Sequence, residues 1–342
     1  MRTSLSYLGL LCLLGFWSSC TDDPKPIDKK IPVGRKVLVV NEGNFQRGNA
    51  SLGLYQPNEK IYTSDVFKNA NNIPLGDVFQ SITKVNGEHW LVLNNSGRIM
   101  SIDTTNYTVT GTIEDLVSPR YALYMNGLNK VYVSDLYSDK ITVVNADTKK
   151  KLGQIPCSGW TDRMILAGGL IYVCNRTKPY VYLIDPEIDA VVDSIKVSNN
   201  ASAILFTELA EVVVLCEGAV GSNEPAALYK IDPKAHQLSW SHTFKKNEHP
   251  KFLSQTPVAG EVFFMNSQLY KLQANNQLIQ ETRCEVVDQG NLYGLSFDPL
   301  TQDLYFLDAR DFIQSSIITR LSASFVKLDE FKVGVNCNGL LF

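Results

Sequence analysis

The stretch "VYVSDLYSDKITVVNADTKKKLGQI", residues 131–155, holds three strand-like runs in 25 residues. VYVSD and ITVVN are rich in β-branched and aromatic side chains, which suit a pleated strand, and KLGQI follows as a third run. Between them stand LYSD and ADTK, where short polar side chains bond their own backbone and turn the chain. Strand, turn, strand, turn, strand is most of one small antiparallel sheet.

The unit recurs along the whole chain. Seven apolar runs each end in Asn, Asp or Glu: VLVVN at Asn41, WLVLN at Asn94, VYVSD at Asp135, IYVCN at Asn175, VVLCE at Glu217, VFFMN at Asn266 and LYFLD at Asp308. Their spacings are 53, 41, 40, 42, 49 and 42 residues, near the period of about 40–45 expected for the four-stranded blades of a β-propeller. A second run follows each anchor, as in SLGLYQP, RIMSIDT, VYLIDPE and ALYKIDP, and closes in an Asp-Pro or similar turn. From the second blade on, an innermost strand precedes the anchor, as in VFQSITKVNG and TDRMILAGGL. The first blade lacks one, and the C-terminal VNCNGLLF carries the same pattern. The expected fold is therefore all-β: a seven-bladed propeller of four-stranded blades, closed by the C-terminal strand pairing in the first blade beside residues 36–41. Closure removes the open sheet edges that six or eight blades would leave.

The repeat in residues 131–155 resembles the YVTN-type, YncE-like propeller repeat, and the likeness spreads weakly over residues 36–342. The opening NEGNF…ASL after its leader resembles a group of Bacteroidetes cell-surface propeller lipoproteins, the cobalamin-capturing BtuG group. That resemblance implies a surface-exposed binding protein that takes cobalamin or a related corrinoid on one face and passes it to a TonB-dependent outer-membrane transporter.

Residues 1–20, MRTSLSYLGLLCLLGFWSSC, place one Arg before an apolar run from Leu8 to Trp17, the h-region of a signal peptide and too short to span a bilayer. Ser18 and Ser19 directly before Cys20 resemble a bacterial lipobox, which implies acylation of Cys20. TDDPKPIDKKIP then reads as a flexible tether. Its Asp22 and Asp23 resemble a surface-export signal, which implies an outer-membrane, lipid-anchored, surface-exposed protein touching the membrane by its anchor only. The expected organisation is a signal peptide at 1–19, a lipidated tether at 20–35 and a single propeller at 36–342.

The formal charge of −3, about −4 once residues 1–19 with their single Arg2 are removed, gives no basic footprint for nucleic acid. Cys157, Cys174, Cys216, Cys284 and Cys337 are left after the leader and Cys20, without a CxxC spacing, so no zinc or redox motif is expected. Cys174 and Cys216 sit in apolar strands and read as buried small hydrophobes; one disulfide elsewhere stays open.

Residues 43–51 read G-x-x-x-x-G-x-x-S, but Asn49 and Ala50 occupy the Lys and Ser/Thr places of a phosphate-binding loop. His89, His236, His242 and His249 fall in turns or outer strands and read as solvent-facing, and neither G-x-S-x-G nor H-E-x-x-H occurs. No enzyme, no cofactor and no metal site is expected.

The remaining signal lies in the loops. In a four-stranded blade, the turn after the second strand and the connection to the next blade emerge on one face. Several such turns here are long, and length costs entropy unless the loop is used. The candidate ligand-binding residues on them are Glu42, Asn44, Phe45, Arg47, Tyr137, Trp160, Arg163, Arg176, Tyr180, Asn223 and Arg310. The seven polar anchors either cap strand ends or join an amide-rich rim suited to a large rigid ligand with many amide or hydroxyl groups. Trp160 can equally wedge between blades, and Arg120 and Arg163 can pair with Asp135 or Asn175. The alternative to nutrient capture is a propeller module for protein or glycan binding at the cell surface.

Overall fold

The computed structural model describes residues 31–218, 224–284 and 290–342. It holds seven four-stranded antiparallel sheets, each a run of sequence neighbours except one. In that one, the last strand, Cys337–Leu341, pairs with Val37–Asn41, which pairs with Ser51–Gln56 and then Ile61–Thr63. This is blade 1, closed by the C-terminus as the sequence predicts. Blades 2 to 7 begin with the innermost strands Phe79–Val85, Pro119–Met125, Thr161–Ala167, Ala201–Phe206, Lys251–Gln255 and Leu292–Phe297. Each innermost strand contacts the next around the ring. The expected signal peptide and most of the expected tether (residues 1–30) lie outside the described residues, as do Cys20 and Asn223.

The second strands are unbroken apolar runs because both sheet faces are buried. Side chains alternate faces along a strand, so each run feeds two neighbours. Val37 and Val39 pack with Tyr305 and Leu307 of blade 7, whereas Leu38 and Val40 pack with Leu91 and Leu93 of blade 2. The same alternation gives seven hydrophobic clusters, one at every blade interface. The sequence reading contained no helix. Val66–Asn71 forms one in the connection from blade 1 to blade 2, where the outer strand Ile61–Thr63 is only three residues long. Phe67 and Val66 pack on Leu52 and Leu54 there.

The seven anchors do not share one register. Asn41, Asp135, Asn175 and Asp308 each pair with the first residue of their innermost strand. In blades 2, 5 and 6 that place belongs to Leu93, Cys216 and Met265, so Asn94, Glu217 and Asn266 stand one residue later. His89 is also corrected. It is the second residue of the strand Glu88–Leu93 and is buried, and that burial, with Lys84 nearby, lowers its pKa.

One irregularity repeats in all seven blades. Near the loop-face end of every innermost strand the pairing slips by one residue against the second strand. A bulge leaves a residue unpaired and re-aims its side chain. The bulges lie at Asn338, Gln80, Arg120–Tyr121, Asp162–Arg163, Ser202, Phe252 and Tyr293. They define the mouth of the central channel.

Candidate functional site at the channel mouth

The bulge residues join the first loop residues of each blade in one polar chain. Tyr293 donates its hydroxyl to Glu42 Oε2 at 2.9 Å, and Asn338 Nδ2 donates to the same oxygen at 3.2 Å and to the Gln80 carbonyl at 3.1 Å. Arg120 donates to Gln80 Oε1, and its Nε and Nη2 reach Asp162 Oδ2 at 3.2 and 3.1 Å. Arg176 stands 3.9 Å from both Asp162 and Glu217. The chain of contacts thus runs from blade 7 through blades 1 to 4 and on to blade 5. Along this chain three carboxylates, Glu42, Asp162 and Glu217, alternate with two guanidinium groups, Arg120 and Arg176. Arg163 itself lies over the Tyr121 ring, 4.6 Å from its centroid. Neither Arg120 nor Arg163 pairs with Asp135 or Asn175: the bulge turns Arg120 along the channel wall to Asp162.

Burial governs the titration of this floor. Desolvation raises the Glu42 carboxyl above its ordinary value, against the lowering effects of the Tyr293 hydrogen bond, the Arg120 charge and the Asn338 hydrogen bond. Desolvation, with Glu42 as neighbour, raises the Tyr293 hydroxyl as well. Glu42 is also fixed by its backbone: its N–H donates to the Asn336 carbonyl at 3.0 Å and its C=O accepts from Phe79 N–H at 3.1 Å.

The other loop candidates divide into latch and rim. Asn44 is a latch, donating from Nδ2 to the Phe312 carbonyl at 2.6 Å and from its N–H to Asn49 Oδ1 at 2.7 Å. Phe45 is 64% exposed beside the exposed Arg47. Tyr137 and Trp160, 61% and 41% exposed, meet edge to face with ring centroids 5.4 Å apart. Trp160 is therefore rim and not a buried wedge. Tyr180 is half-buried against Tyr182. Three anchors act as caps: Asp135 Oδ1 accepts the N–H groups of Tyr137 and Ser138, Asn175 Oδ1 those of Thr177 and Lys178, and Asp308 Oδ1 that of Arg310.

Arg310, with φ of 57°, stands in the blade 7 loop whose Phe312 carbonyl accepts from Asn44. There it borders a cavity of about 900 Å³ between blades 6 and 7, whose walls include Phe252, Met265, Tyr293, Phe306 and Phe325. The cavity also touches Arg283 and Gly290, on either side of the undescribed 285–289 but with Cys284 between Arg283 and that segment. The structure thus gathers Glu42 and Arg176 on the floor, leaves Arg163 exposed over the Tyr121 ring, exposes Phe45, Tyr137 and Trp160, and sets Arg310 in a cavity that the floor residues Tyr293 and Glu217 also line. Sequence reasoning singled out Arg120 only as a possible partner of the anchors, and missed Gln80 and Asn338. The polar residue at the start of the innermost strands, in FQS, PRY, TDR and CNG, was the available signal.

All five described cysteines are buried and free. Among the described residues no group of three or more His, Cys, Asp or Glu is placed to hold a metal ion.

A family described as a domain of unknown function, DUF5074, matches residues 35–324, from just before the first strand of blade 1 to blade 7. The chain belongs to the DUF5074 family. No curated protein matches it. The DUF5074 propeller is similar to a quinoprotein alcohol dehydrogenase-like protein from Bacteroides thetaiotaomicron, with a TM-score of 0.69 at 13% identity over 90% of this chain and 77% of that one. It is similar also to a Lactobacillus plantarum protein (TM-score 0.67, 11% identity, 89% and 98% covered). A third likeness is to hydrazine synthase of Kuenenia stuttgartiensis (TM-score 0.61, 17% identity, 71% and 76% covered). At such identities these likenesses show that the DUF5074 chain shares the propeller fold, which hosts many unrelated functions.

Proposed function

We propose that this protein is a lipid-anchored surface lipoprotein of the outer membrane whose loop face captures a large, rigid ligand, and that it is not an enzyme. The observation that carries the reading is the pairing of an exposed aromatic rim (Phe45, Tyr137 and Trp160) with a recessed polar floor running from Tyr293 to Arg176. Aromatic faces supply area at low entropic cost, and a floor of paired donors and acceptors suits a ligand dense in amides or hydroxyls. Cobalamin or a related corrinoid has that character, and the resemblance to the cobalamin-capturing BtuG group supports it. In this reading the ligand passes to a TonB-dependent outer-membrane transporter. A protein or glycan partner is the second reading, favoured by the exposed aliphatic side chains of Val117 and Ile313 in loops of the same face.

The test is cobalamin titration of the Tyr137→Ala/Trp160→Ala double variant. Loss of at least about 2 kcal/mol of binding, with the fold intact by circular dichroism, supports a stacking rim. Unchanged affinity places the ligand elsewhere.

A further inference from the structure

The strands that flank the seam between blades 6 and 7 are unequal. The fourth strand of blade 6, Leu278–Gln280, has three residues, whereas the third and fourth strands of blade 7, Ser315–Leu321 and Lys327–Val335, have seven and nine. Beside that mismatch Phe252, Met265, Leu292, Phe306, Leu321 and Phe325, all members of the seam's hydrophobic cluster, line the cavity of about 900 Å³. It extends from the loop-face end of the seam, where Lys251 opens the innermost strand of blade 6, to the turn of blade 7 that holds Phe325. A concave, mostly apolar space of this size accommodates a small organic molecule.

Two cations at the loop-face end have no counter-ion. Among the described residues the side chains of Lys251 and Arg310 make neither a hydrogen bond nor an ion pair, although Arg310 is half-buried. The carboxylates of the same lining are engaged. Glu217 stands 3.9 Å from Arg176, Asp308 Oδ1 accepts the Arg310 N–H at 2.7 Å, and Glu330 meets Lys327 at 2.8 Å. A guanidinium withdrawn from water without a partner favours an anion beside it. The backbone around the cavity adds a separate sign. Phe252, Phe312 and Phe325 have φ of 56°, 62° and 63°, a left-handed conformation that bulky residues rarely adopt and that gathers at ligand-holding sites.

We propose that this cavity is a second binding site, for a planar aromatic molecule that carries an acidic group. The ring system lies between the blades against the phenylalanine walls, where offset and edge-to-face contacts are available. The acid meets Lys251 and Arg310 at the loop-face end. Arginine matches a planar carboxylate, or the oxygens of a sulfonate, with two parallel donors, and lysine adds a point charge. The cavity shares Tyr293 and Glu217 with the floor of the channel mouth. Tyr137, Trp160, Arg120 and Asp162 are not part of its lining, so the site does not rest on corrinoid capture at the rim.

The experiment titrates the full chain, carrying Cys20→Ala to remove the proposed acyl groups, with two probes by fluorescence and equilibrium dialysis. One is anilinonaphthalene sulfonate; the other is phenylnaphthylamine, the same ring system without the sulfonate. The sulfonate is expected to saturate a single site per chain and to bind about tenfold more tightly than the neutral amine. Lys251→Gln/Arg310→Gln is expected to erase that preference while the neutral amine binds as before and the unfolding midpoint stays near that of the parent chain. Ile317→Trp, which places an indole in the cavity, is expected to weaken both probes. Equal binding of the two probes, a preference that survives the double substitution, or no saturable binding overturns the site. The charge comparison decides this whether or not Ile317→Trp folds. Cobalamin binding at the rim is read separately, with the Tyr137 and Trp160 variants, so either site can fail without the other.

Discussion

Replacing Arg120 by methionine keeps much of the side-chain stem and removes the guanidinium that holds the channel mouth together. Asp162 is 1% exposed and takes both Arg120 hydrogen bonds on one oxygen. Removing one member of a buried ion pair costs about 3–5 kcal/mol, because the other charge stays desolvated without its partner. Two contacts soften the loss here: Arg176 remains 3.9 Å away, and the Arg163 N–H still donates to Asp162 Oδ1 at 3.0 Å. The expected cost of Arg120→Met is therefore about 2–3 kcal/mol, the low end of that range or just under it. Asp162→Asn should cost less, about 1–2 kcal/mol, since Arg120 keeps Gln80 and some solvent. The double variant should be less destabilised than the two singles combined, by a coupling of about 1–2 kcal/mol. Urea unfolding followed by tryptophan fluorescence reads this as a shift of midpoint at unchanged slope. An Arg120→Met variant within about 0.5 kcal/mol of wild type, or an additive cycle, would refute the description of the floor as a buried, interdependent network.

Glu42 gives a pH signature. Its folded value is raised by burial above the ordinary 4.5, so protonation favours the folded state. Its contribution is fully present below about 4.5 and is lost as pH rises through the folded value. Glu42→Gln should therefore gain stability relative to wild type as pH climbs from acid to neutral; stability profiles that stay parallel would contradict the buried placement. Burial pushes the thiols of Cys157, Cys284 and Cys337 to about 12. In a Cys20→Ala protein, a disulfide reagent at mildly alkaline pH should label none of the five described thiols until denaturant is added, and rapid labelling of the native protein would show that the blade interfaces open.

The blade count and the C-terminal closure were legible in the sequence because both faces of every blade are buried. VLVVN and VFFMN then read as unbroken apolar runs between turn residues, and the spacing repeats. The register at the loop-face end was not legible. Each innermost strand carries a bulge there, and a strict alternation of faces mislocates the next residue. Residue type at the end of each apolar run therefore does not reveal that Asn94, Glu217 and Asn266 stand one position later than the other anchors. Gln80, Arg120, Asp162 and Asn338 likewise read as ordinary strand starts, although they form the floor. The rim was easier: Phe45, Tyr137 and Trp160 are exposed aromatics outside the strands. Glu42 and Asn44 looked like free loop residues, yet they hold the closing blade to blades 2 and 7.

The central claim is that the loop face captures a corrinoid-like ligand, and mixing the tether-free propeller with excess cobalamin before gel filtration tests it most directly. The account predicts a coloured protein peak carrying the ligand in stoichiometric amount, and weakened by the rim substitutions at Tyr137 and Trp160. A colourless protein peak would contradict it.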